Sequence, residues 1–214
     1  MLKRRKWTIL ATTLVTLLPM LAGLILWDKL PERMPIHWGT SGEANGYAGK
    51  AVAVFALPGF MAAMHLFCVV VTALDPKAER HAEKVLDLVF CIVPVMSVFA
   101  CGMVYAAALG VKADVGTWTL AVCSVLFILI GNYLPKCQRN YTIGIKVPWT
   151  LDSDENWNVT HRFAGKVWVI GGFILLAVSF LPGELKPWIY IPGSLLMAVL
   201  PVCRSYLYYK SHGT

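Results

Sequence analysis

Residues Trp7 to Trp27 read WTILATTLVTLLPMLAGLILW, twenty-one positions without a single charge. At about 1.5 Å of rise per residue such a run crosses the roughly 30 Å of hydrocarbon in a bilayer, so it reads as a membrane-spanning helix. Four basic residues, Lys3 to Lys6, precede it. A basic start before an apolar run also resembles a signal peptide, but the run is too long and no small-x-small cleavage site follows, which makes it an uncleaved anchor.

Five further stretches come near the same length: Ala51 to Leu74, Val85 to Leu109, Thr117 to Leu134, Lys166 to Leu181 and Trp188 to Cys203. The last two are short, and Trp168, Trp188 and Tyr190 at their ends suit the headgroup layer. The expected fold is therefore all-α and integral to the membrane, with six transmembrane helices in one domain over residues 1–214. Its N-terminal half (1–109) holds spans one to three, and its C-terminal half (110–214) holds spans four to six. Composition agrees: the chain is 57% hydrophobic and 14% charged, where a soluble domain carries about a quarter charged residues.

The net charge of +7 would suggest nucleic acid in a soluble protein. Its distribution says otherwise. With the N-terminus inside, fourteen of the nineteen Lys and Arg residues fall in cytoplasmic segments, leaving Lys29, Arg33, Lys50, Lys112 and Lys186 outside. That bias places both termini in the cytoplasm, and no nucleic-acid recognition module accompanies the charge. Of the six cysteines, five lie in or beside spans and Cys137 lies in a loop, with no CxxC pair, so neither a disulfide framework nor a metal site is expected. No cofactor motif is present.

Two loops are long and chemically rich: the extracytoplasmic loop at 28–50 and the cytoplasmic loop at 135–165. In the first, Pro31 and Pro35 hold the chain extended, and Asn45-Gly46 is a turn signal that would fold the segment back on itself. This presents His37, Trp38, Glu43, Asn45, Tyr47 and Lys50 together as a ligand-binding set, although Trp38 and Tyr47 equally suit an interfacial aromatic belt. In the second, Asn140 to Lys146 reads as a short extended stretch and Pro148-Trp149 as another Pro-fixed segment. A helix then begins, capped by Asp152 or Ser153 with Glu155 in the first turn. Trp157, His161, Ala164 and Trp168 follow at i, i+4, i+7 and i+11, one stripe running into the fifth span. Either this is an amphipathic segment in the headgroup layer with Arg162 on lipid phosphate, or Asn140, Lys146, Trp149, Thr160, His161 and Arg162 converge on a cytoplasmic pocket. Asn132, Lys136, Thr150 and Trp157 complete that candidate partner-binding set. Within the spans the polar positions are His65, deep in the second, and Asp87, near a cytoplasmic end.

The motifs together resemble the SdpI family of bacterial membrane proteins. They are Leu30-Pro31 through Pro35-Ile36-His37-Trp38, Gly42-Glu43-Ala44-Asn45-Gly46-Tyr47 and Lys50, then Gly131-Asn132-Tyr133-Leu134-Pro135-Lys136, Asn140-Tyr141, Ile143-Gly144-Ile145-Lys146, Pro148-Trp149-Thr150-Leu151, and Trp157 with Thr160-His161-Arg162 and Gly165. The first group resembles the family's N-terminal domain of unknown function and the second the SdpI domain. One departure is visible, because the family usually reads Gly-Ile-Arg-Thr-Pro-Trp-Thr where this chain has Lys146 and Val147; losing the planar guanidinium weakens a bidentate anion role there. The resemblance implies immunity to a secreted membrane-active peptide toxin, and sequestration of a small cytoplasmic repressor at the membrane once toxin is sensed. Its partners would be membrane lipids, the peptide or another amphipathic ligand, and that repressor, with no direct contact to nucleic acid.

Both loops begin with Leu-Pro and end with Ala-Gly-Lys, each after the first of three spans. A duplicated three-span unit would insert with opposite orientation, which suggests a 3+3 inverted repeat and makes a transporter or flippase the alternative function. The interior argues against it, since only His65 lies deep. A membrane enzyme using His161 with Arg162, or His37 with Glu43, is the third class. No HExxH, GxSxG or glycine-rich phosphate loop supports it, so binding without catalysis is expected.

Overall fold

The computed structural model describes residues 1–39, 42–80 and 82–212. Six of its helices are long and apolar enough to cross a membrane, as the hydropathy pattern predicts: α1 (Lys6–Ile25), α2 (Leu57–Ala73), α3 (Glu83–Ala108), α4 (Val115–Tyr133), α6 (Asp154–Val178) and α7 (Lys186–His212), with a one-turn α5 (Pro148–Asp152) before α6. The chain is a multi-pass membrane protein. The fifth and sixth helices extend beyond their apolar cores: α6 starts twelve residues before Lys166, at Asp154, because Ser153 Oγ accepts the Asn156 N–H at 3.2 Å and starts the helix there.

Contacts divide the chain into two compact units, Met1–Ala73 with Asp87–Gly116, and Leu74–Leu86 with Thr117–Thr214. The short segment 74–86 thus belongs with the second unit.

In the first unit, α1 buries a stripe of small or polar residues, Thr12, Thr16, Pro19 and Gly23, and turns Leu10, Leu14, Leu18 and Leu21 outward. In lipid, leucine gains nothing by leaving the acyl chains, so helices associate through small residues and interhelical hydrogen bonds. Both are present. A Cβ at Gly23 would stand 2.7 Å from Val54 and 2.8 Å from the Tyr105 hydroxyl. Ser97 Oγ donates to the Thr16 carbonyl at 2.8 Å and the Tyr105 hydroxyl to the Pro19 carbonyl at 2.9 Å. His65 is buried, its Nε2 2.9 Å from Thr12 Oγ1. Asp87 is exposed at the start of α3 and pairs with Arg5.

The loop between α1 and α2 adds a two-stranded antiparallel hairpin to the helical fold, β1 (Arg33–Trp38) with β2 (Ala44–Gly49). Arg33 pairs with Gly49, Met34 with Ala48 and Pro35 with Tyr47; the register then slips so that His37 faces Gly46 and Trp38 faces Ala44. Met34 is fully buried among Leu30, Ala53, Val54, Cys101, Val104 and Tyr105, which seats one face of the hairpin on the helices. The reversal is not at Asn45-Gly46. It lies around Gly39 and Gly42, where Gly39 N–H donates to the Glu43 carbonyl at 2.9 Å and Gly42 takes φ +82°. Gly46 instead serves close approach within the ladder, since a Cβ there would come 2.8 Å from His37 Cβ. A π-helical turn, Val52–Ala56, leads into α2.

In the second unit, glycines bring α4 and α6 together. A Cβ at Gly131 would meet Trp168 Cβ at 2.8 Å, at Gly165 the Pro135 ring at 2.7 Å, and at Gly172 the Ile128 side chain at 2.6 Å. Trp168 Nε1 donates to the Met197 carbonyl at 2.9 Å, tying α6 to α7.

Candidate functional site

The loop from Cys137 to Val147, expected in part as an extended stretch, is folded by side chains instead of by a β ladder. Asn140 is its centre. Its Oδ1 accepts the N–H groups of Thr142 at 2.8 Å and Ile143 at 2.6 Å, while its Nδ2 donates to the carbonyls of Gln138 and Ile143, both at 2.8 Å. An asparagine that satisfies four backbone groups bends the chain tightly on itself, and no strand can form across such a bend.

Three anchors hold this bend. Asp75, buried just after α2, accepts the Tyr141 N–H at 2.9 Å and the Thr142 hydroxyl at 2.8 Å on Oδ2, and the Lys77 N–H at 2.8 Å on Oδ1. His161 on α6 accepts the Ile145 N–H at 3.0 Å. Trp157, one turn earlier, donates from Nε1 to the Cys137 carbonyl at 2.7 Å and stacks on His161 with ring centroids 4.0 Å apart. Gly144 passes directly over this pair at φ +119°, where a Cβ would fall 2.4 Å from His161 Nε2. The invading backbone and the absent side chain are one device: the loop reaches the floor of the site because nothing projects from residue 144.

The exit is fixed as closely. Thr150 Oγ1 donates toward the Ile145 and Val147 carbonyls, both at 2.9 Å, and accepts the Val147 N–H at 3.0 Å, capping α5. Lys146 folds back so that its ammonium donates to the carbonyls of Tyr141 at 3.2 Å and Thr142 at 3.0 Å. Two single-point contacts to carbonyl oxygens suit an ammonium and need no planar guanidinium. Trp149 leaves the bend and packs against Tyr206 and Tyr209 of α7, at centroid distances of 5.4 and 5.9 Å. Thr160 is buried and donates to Asn156 Oδ1 at 3.0 Å; Asn156 in turn bonds the Ser205 carbonyl at 3.1 Å and its hydroxyl at 2.9 Å on α7.

The sequence candidates therefore sort into two kinds. Asn140, Thr150, Trp157, Thr160 and His161 are brought together, but as the buried frame of an ordered loop, and the space expected as their pocket holds Gly144 and Ile145. Asn132, Lys136, Lys146 and Arg162, with Lys166 beyond them, face outward; Lys136 lies over the Tyr133 ring at 4.5 Å. Asp75, Thr142 and Gly144 were not among the sequence candidates. Their signal was faint: an acid before Pro76 at the end of a span, and a glycine between two isoleucines.

The hairpin presents a more open surface. His37 Nδ1 donates to Asn45 Oδ1 at 2.6 Å across the strands, and both residues are exposed. Glu43 is exposed at the reversal, Tyr47 is 53% exposed and Trp38 is half-buried against the hairpin's core cluster. Lys50 differs from the others: it is buried at the hairpin base, its Nζ 3.0 Å from Glu32 Oε1, 3.1 Å from the Trp27 carbonyl and 5.0 Å from the Trp27 ring centre. It fastens the start of the second span.

Comparison with known proteins follows these two regions. Residues 136–205, from the clamped bend to Ser205 of α7, match the SdpI/YfhL protein family, and residues 14–62, from α1 through the hairpin, match a domain of unknown function (DUF1648). The chain is 28% identical over 197 residues to the immunity protein SdpI of Bacillus subtilis (strain 168), covering 92% of this chain and 93% of that protein. No solved structure matches it. The resemblance read from the motifs is borne out.

Proposed function

We propose, from its kinship with the SdpI family, that this chain is an immunity protein of the bacterial cytoplasmic membrane that protects its host from a secreted membrane-active peptide. The observation that carries the proposal is the end-to-end match to an immunity protein, 92% of this chain against 93% of the relative, which includes both ordered loops. In this reading both termini are cytoplasmic, the hairpin stands outside and meets the peptide, and the clamped bend stands inside. The inner surface then offers its outward cations, Lys136, Arg162 and Lys166, to a cytoplasmic repressor. Function lies in binding and in no catalytic step.

The test is expression in a toxin-sensitive host lacking its own immunity protein, challenged with culture supernatant of Bacillus subtilis strain 168. Protection by the wild type, lost in His37→Ala with Trp38→Ala while membrane insertion persists, supports the reading. No protection by an inserted wild type rejects it for this toxin source. Unchanged protection by the double variant removes His37 and Trp38 from the mechanism.

A further inference from the structure

The two edges of the hairpin are chemically unlike. In an antiparallel pair, residues alternate between those whose N–H and C=O bond the partner strand and those whose N–H and C=O point away from it. Lys50 N–H donates to the Glu32 carbonyl at 2.9 Å, which makes the 32–50 pair a bonded one. In the regular ladder that follows, the Arg33–Gly49 and Pro35–Tyr47 pairs are then the outward kind. On β1, Pro35 has no N–H, so that edge lacks a donor where a neighbouring strand would need one. On β2, Tyr47 and Gly49 both keep theirs.

The open edge is also accessible. Asn45, Tyr47 and Gly49 are exposed, and a Cβ at Gly49 would have nothing within 4 Å. The opposite face of the hairpin is occupied by the Met34 cluster, which holds the strands in place when the edge is approached. Two N–H and two C=O groups alternating along a fixed line match one kind of occupant, an extended peptide backbone, and proteins normally cover or charge such edges. β2 carries no charge between Ala44 and Gly49.

We propose that β2 receives an extended segment of the secreted peptide as a third strand, through the backbone of Tyr47 and Gly49, with the Tyr47 side chain lying beside it. This rests on the immunity reading and specifies how the peptide is held: by main-chain bonds, which tolerate variation in the bound sequence.

Backbone donors can be deleted with proline. In the protection assay with Bacillus subtilis strain 168 supernatant, Gly49→Pro and Tyr47→Pro are compared with Gly49→Ala and Tyr47→Ala, which keep the N–H. Arg33→Pro is the matched control, because it places proline in the same ladder, opposite Gly49, but removes a donor from the β1 edge only. The expected result is a protective dilution limit at least tenfold lower in each β2 proline variant than in the alanine variant at the same position, with Arg33→Pro within twofold of wild type. Protection by the β2 prolines overturns the strand-addition mode while leaving immunity intact. Equal loss in Arg33→Pro overturns it too, since ladder strain then explains the effect. Failure of the inserted wild type to protect rejects the immunity reading for this toxin source, and this proposal with it.

Discussion

The imidazole of His161 accepts the backbone N–H of Ile145 on Nε2 at 3.0 Å, and Nδ1 stands 2.8 Å from the Trp157 carbonyl. A carbonyl can only accept, so Nδ1 carries the proton and the ring is the neutral tautomer. One side chain thereby joins the bend to the helix beneath it, sixteen residues away in sequence.

Replacing His161 by Ala deprives the half-buried Ile145 N–H of its partner, at a cost of about 1–1.5 kcal/mol. The bend should loosen, and Cys137 reports it, because that thiol is buried at the bend's start and its own carbonyl holds Trp157. With Cys137 as the sole cysteine, alkylation by a small maleimide in nanodiscs should be roughly tenfold faster in His161→Ala, by the 1.4 kcal/mol per decade of a pre-opening equilibrium. His161→Gln, which can still present an acceptor, should fall between. Unchanged rates would show that the bend does not depend on His161.

Gly144→Ala should be the most damaging single methyl group in the chain. Its Cβ would overlap His161 Nε2 at 2.4 Å and the Trp157 ring at 3.1 Å, at a φ of +119° that L-residues rarely adopt. Gly110→Ala provides the comparison: φ is +81° but nothing lies within 4 Å. We expect Gly110→Ala to lower the thermal midpoint only slightly and Gly144→Ala to lose the bend, seen as fast Cys137 alkylation with the helices still inserted. Equal effects would show that left-handed strain alone, without the collision, matters.

The legible parts of this protein are those in which the residue pattern itself carries the physics. Six spans follow from runs of apolar residues matched to bilayer thickness, and the Ser153 cap, one of the two residues expected there, from a hydroxyl ahead of an acidic first turn. The Trp157, His161, Ala164 stripe is buried as its spacing suggests. What the stripe faces was not legible. Polar residues at helical spacing look alike whether they line a cavity or hold a loop, and only the path of Gly144 decides between them. Likewise the strands of the hairpin were hidden by Pro35, Gly46 and Gly49, residues of low β propensity; here Met34 burial, not propensity, sets the register. The recurring Leu-Pro and Ala-Gly-Lys motifs agree only in part: Leu30 and Leu134 are both buried, but Lys50 is buried and bonded where Lys166 is exposed.

Burial pushes the Cys137 thiol up to about 11 from an ordinary value near 9. The thiolate is the nucleophile, so at pH 8 its fraction is about a hundredfold below that of an unperturbed thiol, by a factor of ten per unit. The sign follows: alkylation of native Cys137 should still climb tenfold per pH unit between pH 9 and 10, where an exposed cysteine is levelling off. His161→Ala should both raise the rate and shift the levelling to lower pH, as the opened bend exposes the thiol to water. A plateau in the wild type by pH 9 would contradict the buried placement.

Asp75 offers a test in which shape is kept and only hydrogen-bond polarity changes. Its two oxygens accept from opposite sides, Oδ2 from Tyr141 N–H and the Thr142 hydroxyl and Oδ1 from Lys77 N–H. Asparagine has one acceptor oxygen and one amino group. Whichever way it flips, the amino group faces a donor: Lys77 N–H in one orientation, Tyr141 N–H in the other. At about 1–3 kcal/mol for each unsatisfied buried group, Asp75→Asn should accelerate Cys137 alkylation several-fold, while Asp87→Asn, on an exposed carboxylate at the start of α3, should leave it unchanged. The residue that restrains the bend lies in the short segment 74–86, sixty-six positions before Tyr141, so a null result for Asp75→Asn would show that the bend is held from α6 alone.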